Sequence, residues 1–153
     1  MALPNLSPSG KWDKMMRRPM SVASQKNGVI SIIYKVVGEG TQLMKDWPVG
    51  DTVDLIGPLG NYWDGYSDKL SILIGGGVGI APILNLNNYL EEIDEKKALI
   101  MGARNSNEHF IDHNPEERIY MTTDDGSFGI HGNVLEPLKL VLENIDYNNV
   151  KIF

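Results

Sequence analysis

A glycine-rich bend between two apolar segments constrains the fold of this chain more than any other feature. The run LSILIG, residues 70–75, leads directly into the bend GGGVGIAP, residues 75–82. Apolar residues then recur at helical spacing through residues 80–93, and Pro82 suits the first turn of a helix. A strand, a tight bend and a helix in this order are typical of a parallel α/β unit.

The same alternation continues towards the end of the chain. Short strands are expected at residues 98–101 and 118–122, and a second amphipathic helix at 134–145 with Pro137 in its opening turn. A further strand is expected from residue 150 to 153. Alternating strands and helices predict a parallel sheet with helices packed on its faces.

The front of the chain predicts β structure instead. The run VISIIYKVV, residues 29–37, is rich in β-branched and aromatic residues, and TVDLI, residues 52–56, lies between two compact turn signals. We therefore expect two domains, residues 1–66 forming part of a β-barrel and residues 67–153 forming a Rossmann-like α/β domain. The front part has too few strands to close a barrel, and the chain ends within an expected strand, so we expect material to be missing at both ends.

Charge and composition exclude several classes of function. The net charge of -6 makes the chain a poor candidate for binding nucleic acid, and it has no cysteine to form disulfides or ligate an iron-sulfur cluster. The apolar runs fall short of the length that a bilayer requires, and the first residues lack the pattern of a secretory signal. We expect a cytoplasmic protein that binds neither nucleic acid nor a membrane.

Two segments could hold anionic groups. Glycines let a ligand approach the backbone of the bend at 75–82, and a helix that starts there directs amide groups at a phosphate. The bend does not match the G-x-G-x-x-G fingerprint, so a purely structural turn stays an alternative. Arg17 and Arg18 precede Pro19 and Ser21, where a guanidinium could hold a phosphate or belong to a solvated charge cluster.

Other polar segments leave similar alternatives open. Residues 38–41 could form a plain turn or meet a phosphate, and residues 122–129 follow a strand end, where open α/β sheets bind ligands. His109 and His113 stand four apart, but the intervening residues and Pro115 favour a loop over a metal-binding helix face. No metal site is predicted.

Five motifs in order resemble the ferredoxin-NADP reductase superfamily, and most closely its electron-transfer subunits of dihydroorotate dehydrogenase B. They are RRPMSVAS (17–24), IIYKVVGEGT (32–41), VGDTVDLIGPLGNYW (49–63), ILIGGGVGIAPIL (72–84) and TTDDGSFGIHGNV (122–134). The resemblance implies a flavin-binding barrel followed by an NAD(P)-binding domain. It also implies electron transfer from NAD(P)H through FAD to a partner protein, as in pyrimidine biosynthesis.

The resemblance assigns two sets of cofactor-binding residues. In the first, Arg18 holds the FAD pyrophosphate. Ser21 is the one candidate catalytic residue, and it would act through a hydrogen bond to the flavin. Met20 stands where the wider superfamily has an aromatic residue. The FAD set comprises Arg18, Pro19, Met20, Ser21, Ile33, Tyr34, Lys35, Gly40 and Thr41. The NAD(H) set comprises Gly75, Gly76, Gly77, Val78, Gly79, Arg104, Thr123, Asp124, Asp125 and Gly126. Arg104 leaves NADPH open as an alternative to NADH.

The resemblance also names expected partners and a missing cofactor site. The partner would be a catalytic dihydroorotate dehydrogenase subunit or another electron-accepting protein. A [2Fe-2S] cluster is expected only in a full-length protein, since its cysteine ligands and the Cys-Gly-Pro turn of the family do not occur here. Small subunits of NADH-dependent ferredoxin:NADP oxidoreductases or sulfide dehydrogenases, a flavodoxin-reductase-like monomer without a partner, and an inactive nucleotide-binding fragment stay as alternatives.

Overall fold

A computed structural model describes residues 17–143 and 145–153, and the start of the first expected domain lies outside these residues. Its first elements form an antiparallel hairpin of β1 (Val22–Lys26) and β2 (Val29–Ile32). Asn27 and Gly28 form the turn between them with φ values of 53° and 77°. Positive φ at both turn residues suits the right-handed twist of a hairpin. A short helix, α1 (Glu39–Lys45), follows the hairpin.

A parallel sheet and two helices form the larger part of the structure. The elements in chain order are β3 (Leu70–Gly76), α2 (Ile80–Glu92), β4 (Lys97–Ala103), β5 (Ile119–Thr123), β6 (Ile130–His131), α3 (Leu135–Leu142) and β7 (Val150–Ile152). The strands are all parallel and lie in the order β6-β5-β4-β3-β7. This confirms the predicted α/β architecture with a separate β part.

Alternation along the central strands directs side chains to opposite faces of the sheet. Leu73 and Leu99 pack with the apolar side of α2, while Ile72 and Ile100 pack with residues of α3. All four of these strand residues are buried. A parallel sheet covered on both faces needs apolar residues at successive positions, which explains the uninterrupted apolar runs in the sequence.

The hairpin joins the same structure by packing on α2. Ala23, in the middle of β1, is 4% exposed, and Ile33, just after β2, packs against the core cluster on the α2 side of the sheet. Helix α2 therefore lies between the sheet and the hairpin. The predicted division between residues 66 and 67 stays a prediction.

Two predictions of strands in the front part were wrong, because one strand is shorter than expected and the other does not form among the described residues. The strand expected at 29–37 ends at Ile32, and residues 52–56 join no ladder within the described part of the chain. Both segments have strand-forming composition, and Leu55 and Ile56 are more than half exposed. Composition favours an extended backbone, but a strand also requires a neighbour to satisfy its amide and carbonyl groups.

Most of the predicted elements of the α/β part are confirmed. The strands expected at 98–101 and 118–122 are β4 and β5, and the helix expected at 80–93 is α2. The helix expected at 134–145 is shorter, since α3 ends at Leu142. Pro82 and Pro137 both lie in the first turn of their helices, where a missing amide hydrogen costs nothing.

Candidate functional site

The glycine bend lies at the switch point of the sheet. From β3 the chain proceeds through β4 to β5 on one side, whereas β7 returns to the other side of β3. Open α/β sheets bind ligands in the crevice at such a point, outside the carboxyl ends of the strands. The bend lies at the carboxyl end of β3, at the edge where open α/β sheets bind their ligands.

Two glycines of the bend have distinct structural requirements. A Cβ on Gly75 would lie 3.1 Å from Cα of Ile80, so its absence lets α2 begin close against β3. Gly77 has a φ of +55°, and a Cβ on Gly77 or Gly79 would meet nothing within 4 Å. Val78 at the tip is 55% exposed. The bend thus presents open backbone at the start of a 13-residue helix, which suits an anionic group.

A second corner forms where Arg18 meets the start of α1. A Cβ on Gly40 would lie 2.1 Å from Cζ of Arg18, so the guanidinium lies directly on this glycine. A cavity of about 400 Å³ opens beside them. Its lining consists of Arg18, Pro19, Met20, Val37, Gly38, Glu39, Gly40 and Thr41. Folding therefore brings together two motifs that the sequence separates.

Thr41 shapes the turn of this corner. Its hydroxyl accepts hydrogen bonds from the amides of Val37 at 3.0 Å and Gly38 at 3.2 Å, and donates one to the carbonyl of Gly38 at 3.0 Å. The first helical bond runs from the amide of Gln42 to Gly38 at 2.9 Å. The residues expected to form a turn or meet a phosphate thus begin helix α1, with Thr41 holding its entry.

The remaining residues of the predicted FAD set lie along the hairpin and its extension. Ser21 is exposed immediately before β1, and Tyr34 is half-buried. Ile33 contacts the core, as described above, and Lys35 reaches across to the carboxyl edge of the sheet. Its Nζ lies 3.0 Å from Oε1 of Glu108.

Glu108 receives a second cation at the same edge. Arg104, which follows β4, donates to Oε1 of Glu108 from Nε at 3.1 Å and also from its terminal nitrogen. Hydrogen bonds from Arg104 and then from Lys35 lower the pKa of Glu108 to about 2. The same carboxylate raises the pKa of Arg104 above its usual value. The edge therefore carries a three-charge cluster, Lys35–Glu108–Arg104.

The loop after β5 is ordered largely by its own side chains. Thr123 is buried, and its hydroxyl donates to the carbonyl of Phe128 at 2.9 Å and accepts from the amide of the same residue at 3.1 Å. Asp125 accepts from the hydroxyl of Ser127 at 2.6 Å and from its amide at 2.9 Å, and these bonds lower the pKa of Asp125. Asp124 and Gly126 are exposed beside them. Thr123 thus shapes the loop, and the exposed residues face solvent.

The histidines support β5 and the loop that follows it. His109 Nε2 donates to the carbonyl of Thr122 at 2.9 Å, and Nδ1 of His113 accepts from the amide of Met121 at 3.0 Å. Within residues 17–143 and 145–153, no group of three His, Asp or Glu residues could hold a metal ion. The loop interpretation of this segment agrees with these bonds.

The structure thus arranges the predicted residues in two places. Arg18 and Gly40 form one corner, and the glycine bend and the loop after β5 share the carboxyl edge of the sheet, with Lys35 reaching this edge from the hairpin side. Glu108 was not among the predicted site residues. The spacing of four residues from Arg104 was an available signal for that pair, but nothing in the sequence indicated the contact with Lys35.

Comparison with curated proteins finds relatives of this chain, although no family model matches it. The chain is 34% identical over 140 residues to the electron transfer subunit of dihydroorotate dehydrogenase B (NAD(+)) from Streptococcus pneumoniae R6, covering 86% of this chain and 53% of that protein. It is 32% identical over 134 residues to the subunit of the same name from Fusobacterium nucleatum, covering 83% and 52%. The chain spans about half the length of the curated relatives it matches.

Solved structures agree with the fold. The NADH-dependent reduced ferredoxin-NADP oxidoreductase, studied for flavin-based electron bifurcation, matches with a TM-score of 0.65 and 27% identity over 92% of this chain and 52% of the solved chain. A ferredoxin reductase of carbazole 1,9a-dioxygenase matches with a TM-score of 0.65 and 19% identity, over 87% and 45%. Among the described residues, no helix is long and apolar enough to cross a membrane.

Proposed function

The chain belongs to the ferredoxin-NADP reductase superfamily, together with electron transfer subunits of dihydroorotate dehydrogenase B, and from this premise we propose that it binds FAD and NADH and passes electrons between them. The contact of Arg18 with Gly40 carries the proposal. It places a guanidinium beside a cavity in an acidic chain, and a guanidinium suits the phosphate of a dinucleotide.

The residues of this corner fit the phosphates of FAD. A guanidinium can donate two parallel hydrogen bonds to one phosphate, and Pro19 restricts the backbone that carries it. The absence of a side chain on Gly40 leaves room for the guanidinium, and Thr41 keeps the turn in shape. In this proposal Arg18 binds, Gly40 provides space, and Ser21 and Tyr34 lie further along the flavin.

The carboxyl edge of the sheet fits NADH. The bend exposes backbone from Gly76 to Gly79 at the switch point, where the pyrophosphate of a dinucleotide binds in folds of this type. Asp124 and Asp125 follow the end of β5, and carboxylates at such positions suit the hydroxyl groups of a ribose. Gly126 has a φ of +72° and keeps the loop close to His131.

The protein residues contribute binding geometry and solvent exclusion. FAD, when bound, supplies the capacity to take a hydride and release its electrons singly. Direct hydride transfer requires reacting atoms about 3 to 3.5 Å apart. The chain must therefore hold FAD and NADH at a defined distance and orientation. Ser21 is placed by the resemblance near the flavin, where its hydroxyl would donate or accept one hydrogen bond.

Electron acceptors beyond the flavin belong to the same proposal. A catalytic dihydroorotate dehydrogenase subunit is the partner that the relatives' name supports, and that name also supports a role in pyrimidine biosynthesis. The proposal places this role in the cytoplasm. The cysteine-free sequence does not fit a [2Fe-2S] cluster, so no step of electron transfer is assigned to one here.

A visible spectrum of the purified chain tests the proposal. After incubation with FAD and removal of free ligand, we expect flavin absorbance at about 450 nm that NADH bleaches under anaerobic conditions. An Arg18→Ala variant should retain less FAD, while Lys26→Ala removes an exposed cation outside the corner and should retain as much as the original chain. A colourless chain that binds neither FAD nor NADH would overturn the proposal.

The likeness to the NADH-dependent ferredoxin-NADP oxidoreductase supports a second candidate function. That match covers 92% of this chain, slightly more than the curated relatives do. In this case the acceptor would be another flavin or iron-sulfur subunit instead of a dihydroorotate dehydrogenase. Adding a purified catalytic subunit from a dihydroorotate dehydrogenase B to the NADH-reduced chain distinguishes the two, since only the first candidate predicts reoxidation by orotate.

A further inference from the structure

The three-charge cluster Lys35–Glu108–Arg104 connects the two halves of the proposed site. Lys35 belongs to the segment after β2, which the resemblance assigns to FAD, and Arg104 follows β4 at the edge assigned to NADH. The Glu108 carboxylate accepts from Lys35 at 3.0 Å and from Nε of Arg104 at 3.1 Å. We propose that Glu108 is a positioning residue that holds the flavin-side segment at a fixed place against the nicotinamide edge.

The turn that carries Glu108 is fixed on both sides. The amide of Ser106 donates to the hydroxyl of Ser127 at 2.9 Å, in the loop after β5. On the other side, His109 donates to the carbonyl of Thr122 at 2.9 Å. Glu108 itself lies in a one-turn 3-10 helix between these two contacts, and its side chain is 24% exposed. The turn that bears the carboxylate is therefore anchored to β5 and to the loop after it.

The segment that Glu108 holds needs such a contact. Residues 33–37 form no strand, so no ladder determines their distance from the sheet within the described residues. Ile33 packs on the core at one end, and the amide of Val37 donates to Thr41 at the other. Lys35 lies midway between these contacts. Its bond to Glu108 is a polar contact between this segment and the sheet edge.

The geometry of the cluster distinguishes it from an ordinary surface ion pair. An isolated exposed pair has little effect on a protein, because two flexible side chains lose freedom and solvent screens the charges. Here one anchored carboxylate accepts hydrogen bonds from a guanidinium by two nitrogens and from an ammonium. A network of this kind keeps its geometry better than a single pair. Its effect would appear in the relative position of the two halves more than in stability.

This inference rests on the proposed function, because position matters to catalysis only if two cofactors must meet. A displacement of about 1 Å between reacting groups can lower a rate by roughly 100-fold. Loss of the Glu108 charge should therefore slow flavin reduction while leaving Arg18 and the glycine bend, which do not contact Glu108, in place.

A distance measurement tests the proposal without any cofactor. The chain has no cysteine, so Val37→Cys and Asn107→Cys, both at exposed positions, would carry spin labels at those two positions alone. Pulsed electron paramagnetic resonance should give a narrow distance distribution that broadens in Glu108→Gln and in Lys35→Met. Glu117→Gln is the control, because Glu117 is exposed and has no ion pair within the described part of the chain. An unchanged distribution in Glu108→Gln would overturn the proposal.

Rapid kinetics of the FAD-loaded chain give the second readout. We expect Glu108→Gln to lower the limiting rate of flavin reduction by roughly 10- to 100-fold, with the dissociation constants for FAD and NADH changed less than twofold. If Glu108→Gln instead binds NADH more tightly and its rate of flavin reduction is unchanged, the Glu108 carboxylate competes with a phosphate. That result would refute the positioning role. If NADH does not reduce the flavin of the original chain, the proposed function fails, and the distance measurement still decides whether Glu108 holds the segment.

Discussion

Gly40→Ala separates the binding role of the Arg18 corner from its structural role. The new Cβ would lie 2.1 to 2.3 Å from the guanidinium atoms of Arg18, against 3.4 Å or more for ordinary contact. The guanidinium must therefore retreat by more than about 1 Å, which is enough to break a hydrogen bond to a fixed phosphate. Arg18 is a flexible side chain, so this retreat costs the fold little.

Gly40→Ala should affect folding stability and FAD affinity in opposite directions. Alanine is a better helix former than glycine by up to about 1 kcal/mol, so the thermal midpoint should stay the same or rise. Loss of a hydrogen bond to a charged group costs about 1.5 to 3 kcal/mol, which corresponds to roughly 10- to 150-fold weaker FAD binding. Titration of FAD by fluorescence quenching measures the second quantity, and circular dichroism on heating measures the first.

A double-mutant cycle with Arg18→Ala provides the decisive control. If Gly40→Ala acts by displacing the guanidinium, it should have little further effect on FAD affinity in the Arg18→Ala background. Gly38→Ala tests for crowding near the corner, since its Cβ would meet nothing within 4 Å and its φ of -168° suits any residue. Wild-type FAD affinity in Gly40→Ala, or additive losses in the double variant, would refute the assigned role of Arg18.

Three further predictions follow from single contacts. Gly129→Ala should lower the free energy of unfolding by more than about 2 kcal/mol in urea titrations. The reason is that φ of Gly129 is +67° and a Cβ there would lie 2.1 Å from the carbonyl oxygen of Met121. An unaltered urea midpoint would contradict this contact. Arg17→Ala should leave FAD affinity unchanged where Arg18→Ala weakens it, since Arg18 lines the cavity and Arg17 instead pairs with Asp54 outside it. Equal losses would count against this distinction. The pKa of Glu108 is lowered from 4.5 to about 2 on folding, so its ion pairs stabilise the protein above pH 4.5 and this stabilisation is lost as pH falls towards 2. Thermal midpoints of Glu108→Gln should therefore vary less with pH over this interval than those of the original chain, and parallel profiles would show that the carboxylate is not so paired.

The success of prediction in the α/β part has a local cause. The backbone geometry of helices and strands imposes periods that the sequence must follow, and both faces of a parallel sheet demand apolar residues. The apolar run at β3, the glycine bend and the spacing along α2 all carry this information within about 25 residues. Their order was therefore predictable, together with the position of the bend at a carboxyl edge.

The front part shows where local information is insufficient. The segment at 52–56 has strand-forming residues and turn signals at both ends, yet it forms no strand in the described structure. A strand depends on hydrogen bonds to a neighbour, and the neighbour is chosen by the rest of the fold. The helix at Glu39–Lys45 was missed for a different reason, since its start is a local contact of Thr41 with Gly38 in a segment that was expected to form a turn or meet a phosphate.

The order of residue types was enough to predict the alternation of strands and helices, the glycine bend at the end of β3, and the residues available to hold anionic ligands. Tertiary structure alone decided that Arg18 lies on Gly40, while Arg17 beside it pairs with Asp54, and that Lys35 meets Glu108. The physical reason is that periodicity is a property of a continuous backbone segment. The partner of a charge depends on which distant segments the packed core brings within a few ångströms.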